Sequence, residues 1–135
     1  MKITRVLHAS VNVSGTLDAA GEWYGRVLGL DTTWRPEIEG VPGAWFTADT
    51  VQIHLVGAPE RAPGTIDPSA HHVCFGVDDL DAAVAELDAA GIPYLRGSQD
   101  HHGVTVPQIF VVDPAGNVIE LQDDKLQHLP GEAGR

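Results

Sequence analysis

The chain has 135 residues, with 19 acidic and 8 basic side chains and a formal net charge of −11 at pH 7. This length suits one domain that buries roughly two thirds of its unfolded surface. The acidic balance argues against a nucleic-acid footprint or a patch for anionic membranes, and favours small-molecule partners. No apolar run approaches about 18 residues, the N-terminal segment lacks a signal-peptide core, and the single cysteine cannot form an internal disulfide. The sequence therefore predicts a cytoplasmic protein.

The first half of the chain begins with LHASVNV (7–13), where alternation of apolar and polar residues predicts a strand. TLDAAGEWYGRVLGL (16–30) follows, and its apolar residues recur every three or four positions, which predicts an amphipathic helix. Three strand-like segments come next, at 30–34, 44–48 and 51–56. The order of elements in this half is β-α-β-β-β.

The second half repeats that order. HHVCFGV (71–77) predicts a strand, LDAAVAELDAAGI (80–92) predicts a helix, and strand-like segments follow at 93–97, 107–112 and 117–122. Both helical stretches contain the tetrapeptide LDAA. An internal repeat of this kind predicts an α+β fold made of two similar βαβββ modules.

The boundaries of the modules follow from composition. Module 1 covers about 1–57 and module 2 about 71–124, and the segment between them, 58–70, is a linker rich in proline and small residues. The C-terminal tail, 125–135, is expected to be frayed. We expect residues 1–135 to form a single domain.

Four candidate metal ligands occupy equivalent positions in the two copies. His8 and His72 lie in the first strands of the two modules. His54 lies in the last strand of module 1, 46 residues after His8, and Glu120 lies in the last strand of module 2, 48 residues after His72. The repeat therefore predicts that two pairs of ligands approach one centre.

Side-chain parity places these candidates on the face opposite the apolar layer, since alternate residues of a strand point to opposite sides. His8 shares its face with Ser10 and Asn12, and His72 shares its face with Cys74. Small polar residues on such a face are typical of a cavity wall, so Ser10, Asn12 and Cys74 are predicted to contact substrate. Trp45 and Phe46 point to opposite faces, and we assign Trp45 to the cavity.

Three imidazoles and a carboxylate suit a borderline divalent ion, and Zn²⁺, Ni²⁺, Co²⁺, Fe²⁺ and Mn²⁺ all remain candidates. A set of two histidines and one carboxylate with open positions is the arrangement of non-haem Fe(II) oxygenases. The alternative is that four unrelated polar residues lie on strand surfaces. Their placement by repeat and by parity favours a metal site.

The chain resembles the vicinal oxygen chelate superfamily, which includes glyoxalase I, extradiol dioxygenases, methylmalonyl-CoA epimerase, fosfomycin-resistance enzymes and bleomycin-resistance proteins. The resemblance covers nearly the whole chain and rests on LHASVNV, WYGRVLGL, GAWF followed by IHLV, HHVCFGVDDLDAA and FVVDPAGNVIEL. It implies a curled mixed sheet, built from paired βαβββ modules, that encloses a metal held by His8, His54, His72 and Glu120.

The subgroup with the greatest similarity is that of the glyoxalase-I-like proteins, which carry segments similar to GAWFTADTVQIHLV and VPQIFVVDPAGNVIEL. Typical glyoxalase I enzymes have a glutamate at the position that His54 occupies here. In members with one pair of modules per chain, two chains often build two sites together. The resemblance therefore implies a homodimer with sites shared between chains.

Three functions are open at this stage. The first is a metal-dependent isomerase or lyase of the glyoxalase type, in which the metal holds two adjacent substrate oxygens and stabilises an enediolate, with Glu120 or His54 moving the proton. The second is an Fe(II) extradiol-type dioxygenase, in which His8, His72 and Glu120 hold the iron. The third is a bleomycin-resistance-type binding protein without catalysis. For His54 itself, the repeat favours a ligand over a base.

One further pair of histidines, His101 and His102, lies in RGSQDHHGVTV. The sequence predicts a mobile loop here, either a solvated turn or a lid that reaches the substrate.

Overall fold

The computed structural model describes residues 1–61 and 65–126. At its centre lies a pair of strands, one from each half of the chain. β1 (Ile3–Asn12) pairs with β5 (His72–Val77) in antiparallel fashion. Each then pairs in parallel with the last strand of its own module, β1 with β4 (Val51–Val56) and β5 with β8 (Val118–Asp123). The four strands that carry the candidate ligands are therefore direct neighbours.

The outer strands complete an eight-stranded mixed sheet with the order β2-β3-β4-β1-β5-β8-β7-β6. On the module 1 side these are β2 (Asp31–Thr33) and β3 (Gly43–Ala48), and on the module 2 side β7 (Val104–Val112) and β6 (Leu95–His101). The sheet is curled into a half-barrel, and the predicted α+β class with two βαβββ modules is confirmed.

The two helices differ in how firmly they pack on the outer face of the sheet. In α2 (Leu80–Ala89), Asp79 caps the N-terminus by accepting a hydrogen bond from the backbone N–H of Ala82. The helix buries four residues in a core cluster that also contains Val77, Ile109 and Leu121. By contrast, α1 (Leu17–Arg26) buries no residue fully and leaves Trp23 47% exposed. Neither helix is long or apolar enough to span a membrane, within the described residues.

The parity prediction holds along β8. Leu121 packs in the core cluster with α2, whereas Glu120 lies on the other side of the same sheet and lines a cavity. The inner face therefore holds the polar residues, and the apolar layer lies outside it. Of the predicted C-terminal tail, residues 127–135 lie outside the described residues, as do residues 62–64 of the linker.

Candidate metal centre

The four candidate ligands come together at the bottom of one cavity. His8, His54, His72 and Glu120 all line it, and each has less than a tenth of its surface exposed. The strand register explains this convergence, because Ser10 is aligned with His54 on one side and with His72 on the other. The cavity has a volume of about 150 Å³, which suits a small ligand.

Glu120 lies at the centre of the cluster. Its Oε1 is 3.1 Å from His8 Nε2 and 3.1 Å from His72 Nε2. Its Oε2 accepts hydrogen bonds from two amides, Gln122 Nε2 at 2.7 Å and Gln108 Nε2 at 3.2 Å. The carboxylate is thus fixed by four side chains, and one oxygen faces the imidazoles while the other is held by the amides.

The two imidazoles beside Glu120 differ in the direction of their pKa shifts. Burial lowers the pKa of His8, and the opposing effect of the Glu120 carboxylate does not overcome it. Burial by itself would lower the pKa of His72 too. The hydrogen bond to Glu120 and the charge of that carboxylate outweigh burial, so the pKa of His72 is raised. Burial raises the pKa of Glu120, yet His8 and His72 hold it well below its ordinary value. The carboxylate is therefore ionised despite being buried.

A backbone carbonyl group fixes the tautomer of His72. Its Nδ1 lies 2.8 Å from the carbonyl oxygen of Ala70, which can only accept, so Nδ1 carries a proton. A neutral His72 then directs the lone pair of Nε2 at Glu120 Oε1. Two acceptors at 3.1 Å repel each other unless a proton or a cation lies between them.

His54 is oriented differently from His8. The two rings are stacked, with centroids 3.9 Å apart and planes 22° apart, and His54 is also stacked on Trp45 at 3.8 Å and 1°. Ring lone pairs lie in the ring plane, so stacked imidazoles cannot converge on one ion without rotation of one ring. Nε2 of His54 is 2.8 Å from Gln52 Oε1. His54 therefore lies in the cavity wall, beside the Glu120 cluster.

The predicted substrate contacts divide into two groups. Ser10 and Trp45 line the cavity, as expected, and Phe46 lies behind it within 6.1 Å of the Tyr24 ring of α1. Asn12 and Cys74 are not among the residues that line this cavity in the described part of the chain, and their contact with substrate stays a prediction.

Asn12 has a structural role. Its Nδ2 donates to the carbonyl oxygens of Ala58 and Ser69, both at 2.8 Å, and so ties the end of β1 to the linker. Parity placed Asn12 on the correct face, but by the end of β1 that face is covered by the linker.

Cys74 is fully buried beneath the Glu120 cluster. The ligand atoms of His8, Cys74 and Glu120 lie within 4.8 Å of one another. Burial raises the pKa of the Cys74 thiol well above its ordinary value, and the negative charge of Glu120 raises it further. Cys74 is therefore a neutral thiol that packs under the cluster.

The predicted mobile loop at His101 and His102 is wrong for the first of these residues. His101 ends β6, is 5% exposed, and lies within 5.8 Å of the Trp45 ring. His102 lies in the tight turn that follows, with φ of 54°, and stacks on Trp34 at 3.8 Å. The segment is a β-hairpin that packs against Trp34 and Trp45 on the module 1 side of the sheet.

Sequence reasoning missed several residues of the site. The amides of Gln108 and Gln122 hold Glu120, and Arg35, in the segment between β2 and β3, forms part of the cavity wall. The signal for the amides was present, since Gln108 and Gln122 lie among apolar residues of strands. An amide at such a position is buried and needs a hydrogen-bonding partner.

All four candidates meet within one chain, because β1 and β5 of the same chain pair directly. The described chain therefore brings the four candidates together by itself. The homodimer and the sharing of sites between chains both stay predictions.

A family model described as Glyoxalase/Bleomycin resistance protein/Dioxygenase superfamily matches residues 5–121. The chain belongs to this superfamily. The match covers both modules and all four candidate ligands, which confirms the family inferred from the sequence.

Members of the superfamily with similar sequences include a protein named Glyoxylase I 4 from Arabidopsis thaliana, which is 32% identical over 142 aligned positions, covering 100% of this chain and 81% of the relative. A protein named Probable lactoylglutathione lyase from Vibrio parahaemolyticus is 31% identical and covers 90% of this chain and 91% of its own length. Among solved structures, methylmalonyl-CoA epimerase from Mycobacterium tuberculosis has a TM-score of 0.66 at 23% identity, over 90% of this chain and 88% of that one. This last likeness shows the fold.

Proposed function

We propose that this protein is a divalent-metal-dependent enzyme of the glyoxalase type, which acts on a small substrate with two adjacent oxygens through isomerase or lyase chemistry. The observation that carries the proposal is the contact between His72 and Glu120. A backbone carbonyl fixes the His72 tautomer, so that Nε2 meets a carboxylate oxygen at 3.1 Å. A positive centre belongs at this point, and a metal ion can replace the proton that His72 holds.

The donor set fits such an ion. Neighbouring ligand atoms on one ion with bonds of about 2.0–2.1 Å lie about 3 Å apart, which is the separation of Glu120 Oε1 from each imidazole nitrogen. Among the described residues, the donors that all lie within 4.8 Å of one another are His8, Cys74 and Glu120, so His8 and His72 would move toward each other to share an ion. We therefore propose His8, His72 and Glu120 as the ligands. When bound, the metal would supply Lewis acidity to the two adjacent oxygens of the substrate.

The amides that hold Glu120 favour a purely ligating role for this carboxylate. Gln108 and Gln122 occupy Oε2, so Glu120 is not free to swing toward a substrate carbon. Outer-shell hydrogen bonds of this kind orient ligands at metal sites.

His54 is the better candidate for moving the proton. It lies in the cavity wall between Trp45 and His8, and Gln52 fixes the orientation of its ring. A neutral imidazole at such a position accepts a proton from a substrate carbon and returns it to the neighbouring carbon or oxygen. This assignment differs from the fourth-ligand role that the repeat favours, and rotation of the His54 ring would be needed for ligation.

The relatives named Glyoxylase I 4 and Probable lactoylglutathione lyase support this class of chemistry. We expect lactoylglutathione or hydroxyacetone, incubated in D₂O with metal-loaded protein, to exchange the hydrogen beside the carbonyl carbon for deuterium, as followed by proton NMR. Protein stripped with a chelator is the control. Exchange at the same rate with and without metal would contradict the proposal.

A dioxygenase is the second candidate, because two histidines, one carboxylate and a nearby imidazole base match the donor pattern of non-haem Fe(II) oxygenases. Metal analysis of protein purified anaerobically from its native host separates the two functions. Iron together with oxygen uptake in the presence of a catechol would favour the dioxygenase, whereas zinc, nickel or cobalt would favour the glyoxalase type.

We also propose a homodimer in which each chain holds a complete site. Mixing His8→Ala chains with Glu120→Ala chains should then restore no activity, since every site keeps its own defect. Recovery of activity in the mixture would show instead that ligands cross between chains.

A further inference from the structure

One basic side chain other than histidine lines the cavity within residues 1–61 and 65–126. It is Arg35, in the segment between β2 and β3, and it shares the cavity wall with His72 and Glu120. In the described part of the chain no carboxylate lies within ion-pair distance of its guanidinium. An unpaired cation in the wall of a cavity is costly, even in a chain with a net charge of −11.

The guanidinium is held in position by backbone groups. Nη2 donates to the carbonyl oxygen of Val41 at 2.6 Å, and Nη1 lies 3.5 Å from that of Pro36. The group also lies against Gly43, where an added Cβ would be 3.0 Å from both Nε and Nη2. Glycine at this position leaves room for the flat guanidinium, which is therefore oriented before any ligand arrives.

These contacts leave donors unused. A guanidinium has five N–H groups, and two backbone carbonyls are the acceptors of Arg35 within the described residues. Nε is buried without an acceptor there. Burial also lowers the pKa of Arg35 from its ordinary value, in keeping with a cation that has no anionic partner.

From this geometry we infer that the substrate carries a carboxylate, which Arg35 binds while the adjacent oxygens of the substrate reach the His8, His72 and Glu120 cluster. The inference rests on the proposed function. A carboxylate is favoured over a phosphate dianion because a single arginine faces a cavity that already contains the negative charge of Glu120. The hydroxyl groups of Ser69 and Ser98, which line the same cavity, are further donors for this group.

The test uses two hydroxamates, since a hydroxamate presents adjacent oxygens to a metal. Succinic acid monohydroxamate ends in a carboxylate, and its terminal amide has nearly the same shape without the charge. Isothermal titration of zinc-loaded protein should show the acid binding at least about tenfold more tightly than the amide, as expected for a charge-assisted hydrogen bond.

Arg35→Gln should abolish this preference, leaving the affinity for the amide within about twofold of the wild type, and Arg35→Lys should retain part of it. Arg26→Gln is the matched control, because Arg26 is exposed on α1 and its loss changes the net charge equally. Equal binding of acid and amide by the wild type would overturn the inference, as would a full preference in Arg35→Gln.

The proposed function is read from the same titrations in a separate way. It requires both hydroxamates to bind more tightly with zinc than without. If zinc makes no difference while the preference for the acid disappears in Arg35→Gln, the metal centre is wrong and the carboxylate site stands. The reverse result would leave the metal centre and remove Arg35 from substrate recognition.

Discussion

The last strands of the two modules, β4 and β8, occupy equivalent positions beside the central pair but present different groups to the cavity. Glu120 on β8 is a buried anion held by two imidazoles and two amides, whereas His54 on β4 is an imidazole stacked between Trp45 and His8. Each has a glutamine two positions away on the same strand face, Gln122 and Gln52. Equivalent positions in the repeat thus hold a candidate ligand on one side and a candidate base on the other.

The largest effect should come from the anionic side of this comparison. Glu120→Gln keeps the size of the side chain but removes its charge, and we expect zinc affinity to fall about a thousandfold, in line with the loss of one partner from a buried charge pair. Competition with a chromophoric chelator measures this. Glu22→Gln, on the exposed face of α1, is the control. Unchanged affinity in Glu120→Gln would remove Glu120 from the metal centre.

Substitution of His54 on β4 should affect turnover and not zinc affinity. His54→Ala should lower turnover at least about a hundredfold, as loss of an acid–base group does, while zinc affinity stays within a few-fold of the wild type. His71→Ala is the matched control, since that imidazole is largely exposed. A large fall in zinc affinity would instead make His54 a fourth ligand, and wild-type turnover would leave it as a packing residue.

The two glutamines sharpen the comparison. Gln122→Met removes one amide donor from Glu120 and should weaken zinc binding about tenfold, as changes in the outer shell of a metal site do. Gln52→Met disturbs the orientation of His54 and should lower turnover with little change in zinc affinity. Equal effects of both variants on zinc affinity would mean that β4 and β8 contribute alike.

The smallest expected effect is the dependence of zinc affinity on pH. His72 binds a proton more tightly in the folded, metal-free protein than its ordinary pKa of 6.5 predicts. That proton stabilises the fold below pH 6.5, and its contribution is lost as the pH rises through the raised pKa. Zinc must displace the same proton, so zinc affinity should rise by at most about tenfold per pH unit up to the raised pKa and level off above it. A profile that already levels off at or below pH 6.5 would show that the pKa of His72 is not raised.

The sequence was sufficient for the ligand strands because two regularities coincide there. The repeat identifies which strands correspond, and strand parity decides which face each side chain takes. Both are properties of the backbone, and they placed His8, His54, His72 and Glu120 on the inner face without knowledge of their contacts.

Parity does not reveal what covers a face. Asn12 and Cys74 have the correct orientation but lie under the linker and beneath the cluster, because depth depends on curvature and on segments distant in sequence. The β6–β7 hairpin escaped detection for a local reason. Its turn places His102 and Gly103 at positive φ, where Asn-Gly or Asp-Gly is the usual signal.

Arg35 carried no sequence signal, because its segment between strands has no periodicity from which an orientation can be inferred. Likewise, the helical pattern of 16–30 predicted packing but could not show that α1 would bury so much less than α2. Both depend on how tightly neighbouring segments close over each other in three dimensions.

The pairing of β1 with β5 has a consequence for the assembly of the proposed metal centre. His8 and Glu120, which are in direct contact, are separated by 112 residues of chain. During synthesis the first ligand must therefore wait for the last strand, and contacts so distant in sequence form late and slowly. Capture of the proposed metal would thus report completion of folding, because a chain stopped before β8 has three of the four candidate donors but lacks the carboxylate of Glu120.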